Sequence, residues 1–249
     1  MSLQFIIGNS GAGKSGTAYE NIIREASANP DRLYYVIVPE QFTMQTQKTL
    51  VEMHPDGGIL NIDILSFERL AYRVFEEVGG DTRRIMEETG KNMVLQKLVQ
   101  MNQKDLVYLR NQMKKPGYLD EVKSLISEFM QYEIKEEELD EMIRESEDKT
   151  LLQIKLQDVK VLYQAFREYL SGHFMTAEEV LEVLAKEIQF SEKLKGSVLL
   201  LDGYTGFTPV QLEVLRELLA VCERVSVTVT MDVREQFLAM GKPHELFYM

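Results

Sequence analysis

The chain has 249 residues, 45% hydrophobic and 27% charged, a soluble composition large enough for one sizeable domain or a domain with a long insertion. Its formal net charge is −12, from 40 acidic against 28 basic residues. Nucleic-acid affinity rests on releasing counterions from phosphates, so this balance argues against a protein that coats DNA indiscriminately but leaves room for a local groove.

No apolar run approaches the roughly 18–20 residues of a bilayer span, so no membrane partner is expected. Met1 leads directly into a strand-like run without a leader segment, and the single cysteine, Cys222, can close no internal disulfide. These features together lead us to expect a cytoplasmic protein. Cys222 follows Leu218, Leu219 and Val221, which predicts a buried thiol. His54, His173 and His244 lack metal-ligand spacing.

Leu3–Ile7 reads as a strand and Lys14 to about Ala28 as a helix. Leu33–Val38 is a second strand stopped by Pro39, and a helix follows over roughly Glu40–Met53. Leu60–Leu65 is a third strand, and Phe67–Val78 is a helix ended by glycine. Continuous apolar strands alternating with helices predict a parallel sheet covered on both faces. From about Glu87 to Ile188 only helical periodicity is present. Its clearest stripe is Leu152, Leu156, Val159, Tyr163, Phe166 and Leu170, spaced by four and three. Strand signals return at Ser197–Leu201. Thr208 as N-cap and Pro209 in the first turn open a helix to Val221, and Val225–Met231 is a last strand. The expected fold is α/β. One sheet domain is built from residues 1–84 and 190–249, with a large all-helical insertion over 85–189. No element closes the chain after the last strand, so a longer protein is expected, of which this is an N-terminal fragment.

Residues 8–15 read Gly8-Asn9-Ser10-Gly11-Ala12-Gly13-Lys14-Ser15, a complete G-x-x-x-x-G-K-S/T pattern with a strand before it and a helix after it. Glycines let successive main-chain amides turn inward on phosphate oxygens, and the helix that follows adds the positive end of its dipole. Lys14 is expected to reach the terminal phosphates and Ser15 to ligate Mg²⁺. A triphosphatase also needs a carboxylate at a neighbouring strand end for the metal side, and Asp202, closing Val198–Leu201, fits. Asp63 is a weaker rival because Ile64 and Leu65 continue its strand. Gly203 stands where a water-activating glutamate would be sought, so no catalytic residue is assigned.

Three of these segments resemble, in order, the motifs of UvrD/Rep-type superfamily 1 helicases. The loop at 8–15 resembles their motif I. Leu65-Ser66-Phe67-Glu68-Arg69-Leu70-Ala71-Tyr72-Arg73 resembles T-F-H-x-L-A-x-R, and Leu201 to Gln211 resembles D-E-F-Q-D-T-N-x-x-Q. Within that superfamily the chain is most similar to the N-terminal part of the B subunit of bacterial AddAB-type ATP-dependent helicase/nucleases, through Val38-Pro39-Glu40-Gln41, Leu65–Arg73 and Leu201-Asp202-Gly203-Tyr204.

The resemblance implies a RecA-like P-loop domain (helicase domain 1A) with a 1B-like insertion. It also implies ATP and Mg²⁺ as ligands, and single-stranded DNA from a duplex end contacted by Ser66, Phe67, Arg69 and Arg73. The implied protein partner is the A subunit of the same helicase/nuclease, in a heterodimer that serves double-strand break repair and recombination. In that family the helicase-like region of the B subunit reads the translocating strand for a regulatory sequence. An iron–sulfur cluster is implied only for a C-terminal region that this chain lacks.

Departures from the pattern carry mechanistic weight. Besides Gly203, Thr205-Gly206 replaces a Gln-Asp pair, and only seven residues precede Gly8, too few for an upstream adenine-reading glutamine motif. Met231-Asp232-Val233-Arg234-Glu235 keeps only the aspartate of G-D-x-x-Q. ATP binding with weak or absent hydrolysis is therefore the expectation. The alternatives are a P-loop small-molecule kinase and a nucleotide-stabilised scaffold for a motor subunit.

Overall fold

The structure, a computed structural model, describes residues 2–58, 60–79, 83–113, 115, 117–146, 148–171 and 174–231. In chain order, β1 (Ser2–Gly8), α1 (Lys14–Ala28), β2 (Tyr34–Ile37), a 3-10 turn (Glu40–Phe42), α2 (Thr43–Met53), β3 (Ile62–Leu65) and α3 (Phe67–Val78) come first. Then follow β4 (Arg84–Ile85), α4 (Glu88–Met101), α5 (Leu109–Gln112), α6 (Tyr118–Gln131), α7 (Glu136–Glu145), α8 (Thr150–Leu170), β5 (Phe174–Met175) and α9 (Ala177–Glu187). β6 (Val198–Leu201), α10 (Pro209–Val221) and β7 (Arg224–Thr230) complete the described chain. The chain divides into two compact units, one from the residues before 82 and after 180, the other from those between.

The first unit is a five-stranded sheet of order β1-β7-β6-β2-β3, parallel at every pairing. Tyr34 lies opposite both Val198 and Ile62, which puts β2 between β6 and β3. The central strands β2 and β6 are buried at every position, which is why they read as unbroken apolar runs. Ala18, Ile22 and Ile23 of α1 and Leu50 of α2 pack with Tyr34, Val36, Val198 and Leu200 in one core. Local chemistry sets the element ends. The Ser66 hydroxyl accepts from the Arg69 amide to start α3, and Gly79, at φ 79°, stops it. Thr208 and Gln211 form a reciprocal capping box at α10. Because all strands run parallel, Gly8, Val38, Ser66 and Asp202 emerge along the same edge of the sheet, the edge where parallel α/β sheets bind ligands.

The second unit is mostly helical. Leu95, Ile126, Leu139, Leu162, Phe166 and Leu170 are among its buried residues. The expected apolar stripe on α8 holds from Val159 to Leu170, whereas Leu152 is 43% exposed. Beside Val159 on the same helix, the buried carboxylate of Asp158 accepts from the amides of Val107, Tyr108 and Leu109 at 2.9, 2.7 and 2.7 Å. One expectation needs correction: the region is not entirely helical. Phe174–Met175 pairs in parallel with Arg84–Ile85. A two-residue strand is too short to leave a period in the sequence, so only the pairing reveals it.

Among the described residues, no helix is long and apolar enough to cross a membrane. Cys222 is buried, its thiol 3.5 Å from the Ser197 hydroxyl, and burial pushes its pKa up.

Candidate nucleotide site

β1 delivers the chain to the loop at Gly8. A Cβ there would stand 3.3 Å from Lys14 Cγ and 3.4 Å from Ala12 Cβ, so the close return of the loop favours glycine. The turn is closed by the Ala12 amide donating to the Asn9 carbonyl at 3.1 Å. Gly11 and Gly13 sit at φ 74° and 81°, left-handed conformations that side chains resist. Ser10 to Gly13 are exposed, and α1 begins directly behind them at Lys14. The Lys14 ammonium donates to the Asn9 carbonyl at 2.8 Å, and among the described residues no carboxylate pairs with it. The result is a concave loop of amides with an unneutralised cation at its back. That donor set suits a polyphosphate.

Asp202 meets this loop from the far side of β7. Its carboxylate is 5% exposed, and Oδ1 accepts from Ser15 Oγ at 3.0 Å. The two residues are 187 positions apart in sequence, and only the sheet order brings them together. Two further hydroxyls converge on the same carboxylate: Thr228 of β7 on Oδ1 at 2.6 Å, and Tyr19 of α1 on Oδ2 at 2.5 Å. Neither had been singled out from the sequence. Tyr19 lies four residues after Ser15, one helical turn along the same face. Thr228 is a polar side chain at a buried position of a central strand. Both signals were available, but neither names its partner. Desolvation and the adjacent Asp202 raise the Tyr19 phenol above its usual range, so it is a fixed donor.

Beside this carboxylate opens a cleft of about 270 Å³, lined by Ser15, Tyr19, Phe42, Thr46 and Gly203 among others. Gly203 has φ 80° and brings no side chain to it. The rival carboxylate, Asp63, lies within β3 and is paired with Arg73 at 3.5 Å.

The Leu65–Arg73 segment is placed differently from expectation in two respects. Phe67 is 4% exposed and packs edge-on against Tyr204 and Phe207, with ring centroids 5.5 and 6.5 Å away, so in this arrangement it has no open face for a base. Ser66 is also buried, and its hydroxyl caps α3. Arg69 and Arg73 are about half exposed, and they pair with Glu40 and Asp63. Residues 232–235, His173 and His244 lie outside the described residues.

Comparison with known proteins gives a consistent picture. A family profile described as "ADDB, N-terminal" matches residues 5–249. Among curated relatives, the B subunit of the ATP-dependent helicase/deoxyribonuclease of Lachnoclostridium phytofermentans is 45% identical over 249 residues, which is 100% of this chain and 22% of the relative. The protein of the same name from Alkaliphilus metalliredigens is 35% identical over 249 residues, 100% of this chain and 21% of its own. That from Clostridium tetani is 36% identical over 231 residues, 92% and 20% respectively. The chain thus spans about a fifth of the length of these relatives.

Proposed function

This chain belongs to the family of ATP-dependent helicase/deoxyribonuclease B subunits, as their N-terminal region, and on that premise we propose that it is a nucleotide-binding, helicase-like domain that holds ATP without turning it over at motor rates. The observation that carries the reading is the meeting of Ser15 with Asp202 behind a left-handed glycine loop, with no side chain at the following position. In this reading the sheet unit is a RecA-like P-loop domain and the mostly helical unit a 1B-like insertion. The amides of residues 8–13 and the Lys14 ammonium hold the phosphates, while Ser15 and Asp202 form the protein's side of a magnesium site. Bound Mg²⁺ would offset phosphate charge. Loss of a general base costs ~10²–10⁴ in rate, which is why slow turnover is expected.

Single-stranded DNA is the proposed polymer ligand, with Arg69 and Arg73 as phosphate contacts. Their present ion pairs are half exposed. Such pairs are worth only about 0–1 kcal/mol, so a phosphate can displace them. Ser66 and Phe67 would have to leave a helix cap and an aromatic cluster to touch DNA, so they serve to hold α3 in place. The whole polypeptide is proposed to act in the cytoplasm, paired with the A subunit of the helicase/nuclease, in break repair and recombination. Any iron–sulfur cluster belongs to the rest of the polypeptide, because one cysteine cannot supply a four-thiolate site. Family membership speaks against the small-molecule kinase.

Fluorescence polarisation of a labelled single strand, run beside phosphate release, tests the reading. We expect DNA binding in magnesium ATP, with turnover at least ~10²-fold below that of an ordinary motor helicase. DNA-stimulated hydrolysis at motor rates contradicts it.

A further inference from the structure

Asp202 accepts three hydroxyl hydrogens, and they divide between its two oxygens. Ser15 and Thr228 share Oδ1, at 3.0 and 2.6 Å, and Tyr19 alone holds Oδ2, at 2.5 Å. The Tyr19 side chain is itself buried, 6% exposed, among residues of the core between α1, α2 and the sheet. A carboxylate can turn about its Cβ–Cγ bond. With Oδ2 tethered to a rigid, buried phenol, the turn is blocked and Oδ1 stays directed at Ser15.

We propose that Tyr19 is a positioning residue for the metal side of the nucleotide site: its buried hydroxyl pins one oxygen of Asp202 and keeps the other facing Ser15 and the phosphate loop. This rests on the nucleotide-binding reading above. It goes further by assigning the magnesium-dependent part of affinity to a residue that touches neither nucleotide nor metal. Groups that orient metal ligands from behind influence metal affinity by about 10–100-fold.

The test is nucleotide titration of the full chain, with EDTA and with increasing Mg²⁺, for the parent and Tyr19→Phe, which keeps the ring and removes the hydroxyl. We expect the Mg²⁺ concentration for half-maximal strengthening to rise at least about tenfold, with the loss confined to the magnesium step, since metal-free binding rests on the loop amides and Lys14. Mn²⁺ in place of Mg²⁺ gives a second readout through its paramagnetic resonance when bound. In an Asp202→Asn background the Tyr19 substitution should have no further effect, because the two act on the same oxygen. Should Tyr19→Phe fail to fold, Thr228→Val removes a hydroxyl from Oδ1 and leaves the tether on Oδ2, so its magnesium midpoint should stay within about threefold of the parent's, and a shift of about tenfold or more would assign the positioning to Thr228 and overturn the inference. An unchanged magnesium midpoint in Tyr19→Phe overturns the inference. So does an equal fall in metal-free and magnesium-dependent affinity, or full additivity with Asp202→Asn. A parent chain that binds nucleotide with no magnesium step removes the metal site and this inference with it, whereas a failure confined to the variants removes only the role of Tyr19.

Discussion

In the proposed reading Gly203 follows the metal-side carboxylate Asp202 at the place of a water-activating glutamate, so Gly203→Glu is the direct attempt to supply a base. The structure predicts that it fails, and for a backbone reason. A Cβ at 203 would stand 3.6 Å from Pro39 Cδ and 3.9 Å from Phe42 Cδ2, ordinary contact distances, so space is not the obstacle. The obstacle is φ 80°, where a residue with a Cβ costs roughly 1–2 kcal/mol. In a chain of this size each kcal/mol lowers Tm by roughly 2–4 °C, so the variant should melt about 2–8 °C below the parent. The new side chain would also start toward Pro39 and Phe42. Scanning fluorimetry and phosphate release with single-stranded DNA measure both consequences. A lower Tm with turnover at the parent's level is expected. A variant as stable as its parent that hydrolyses ATP ~10²-fold faster would refute the reasoning.

Three further outcomes can be checked independently. Asp158→Ala strands the amides of Val107, Tyr108 and Leu109. At about 1–3 kcal/mol for each unsatisfied donor, urea titration should show a loss of at least ~3 kcal/mol; an unchanged midpoint would mean that water replaces the carboxylate. Burial, and then the charges of Asp63 and Glu77, push the Tyr35 phenol up to about 12 from 10.0. The unfolded chain therefore deprotonates first, and the stability this phenol contributes is complete below pH 10.0 and lost as pH rises toward about 12, a trend that urea midpoints on either side of that window will test. Arg69→Ala and Arg73→Ala should each weaken single-strand binding and flatten its salt dependence by about 0.7 in log–log slope; unchanged slopes would place the DNA elsewhere.

The parts of this molecule legible in the sequence are those whose cause is local. The strand–loop–helix at 8–15 announces itself because left-handed turns need glycine, and β2 and β6 do so because strands buried on both faces need unbroken apolar runs. The parallel α/β sheet followed from that alternation. Contacts made only when distant segments meet were not legible. Thr228 reaches Asp202 because β7 lies between β1 and β6, an order that no spacing encodes. Phe67 shows the converse limit: a segment can resemble a motif while the aromatic partners that close over its ring, Tyr204 and Phe207, lie far along the chain. Asp158 is buried on α8 because its carboxylate meets three main-chain amides, a polar use of a helix face that apolar periodicity cannot foresee.

The central claim is that the glycine loop and Lys14 grip a polyphosphate, and isothermal titration of the parent and Lys14→Ala with magnesium ATP tests it most directly. A hydrogen bond to a charged group is worth about 1.5–3 kcal/mol, so we expect saturable heat in the parent and an affinity about 10–100-fold weaker in the variant. Absence of heat in the parent, or identical isotherms for the two proteins, contradicts the claim.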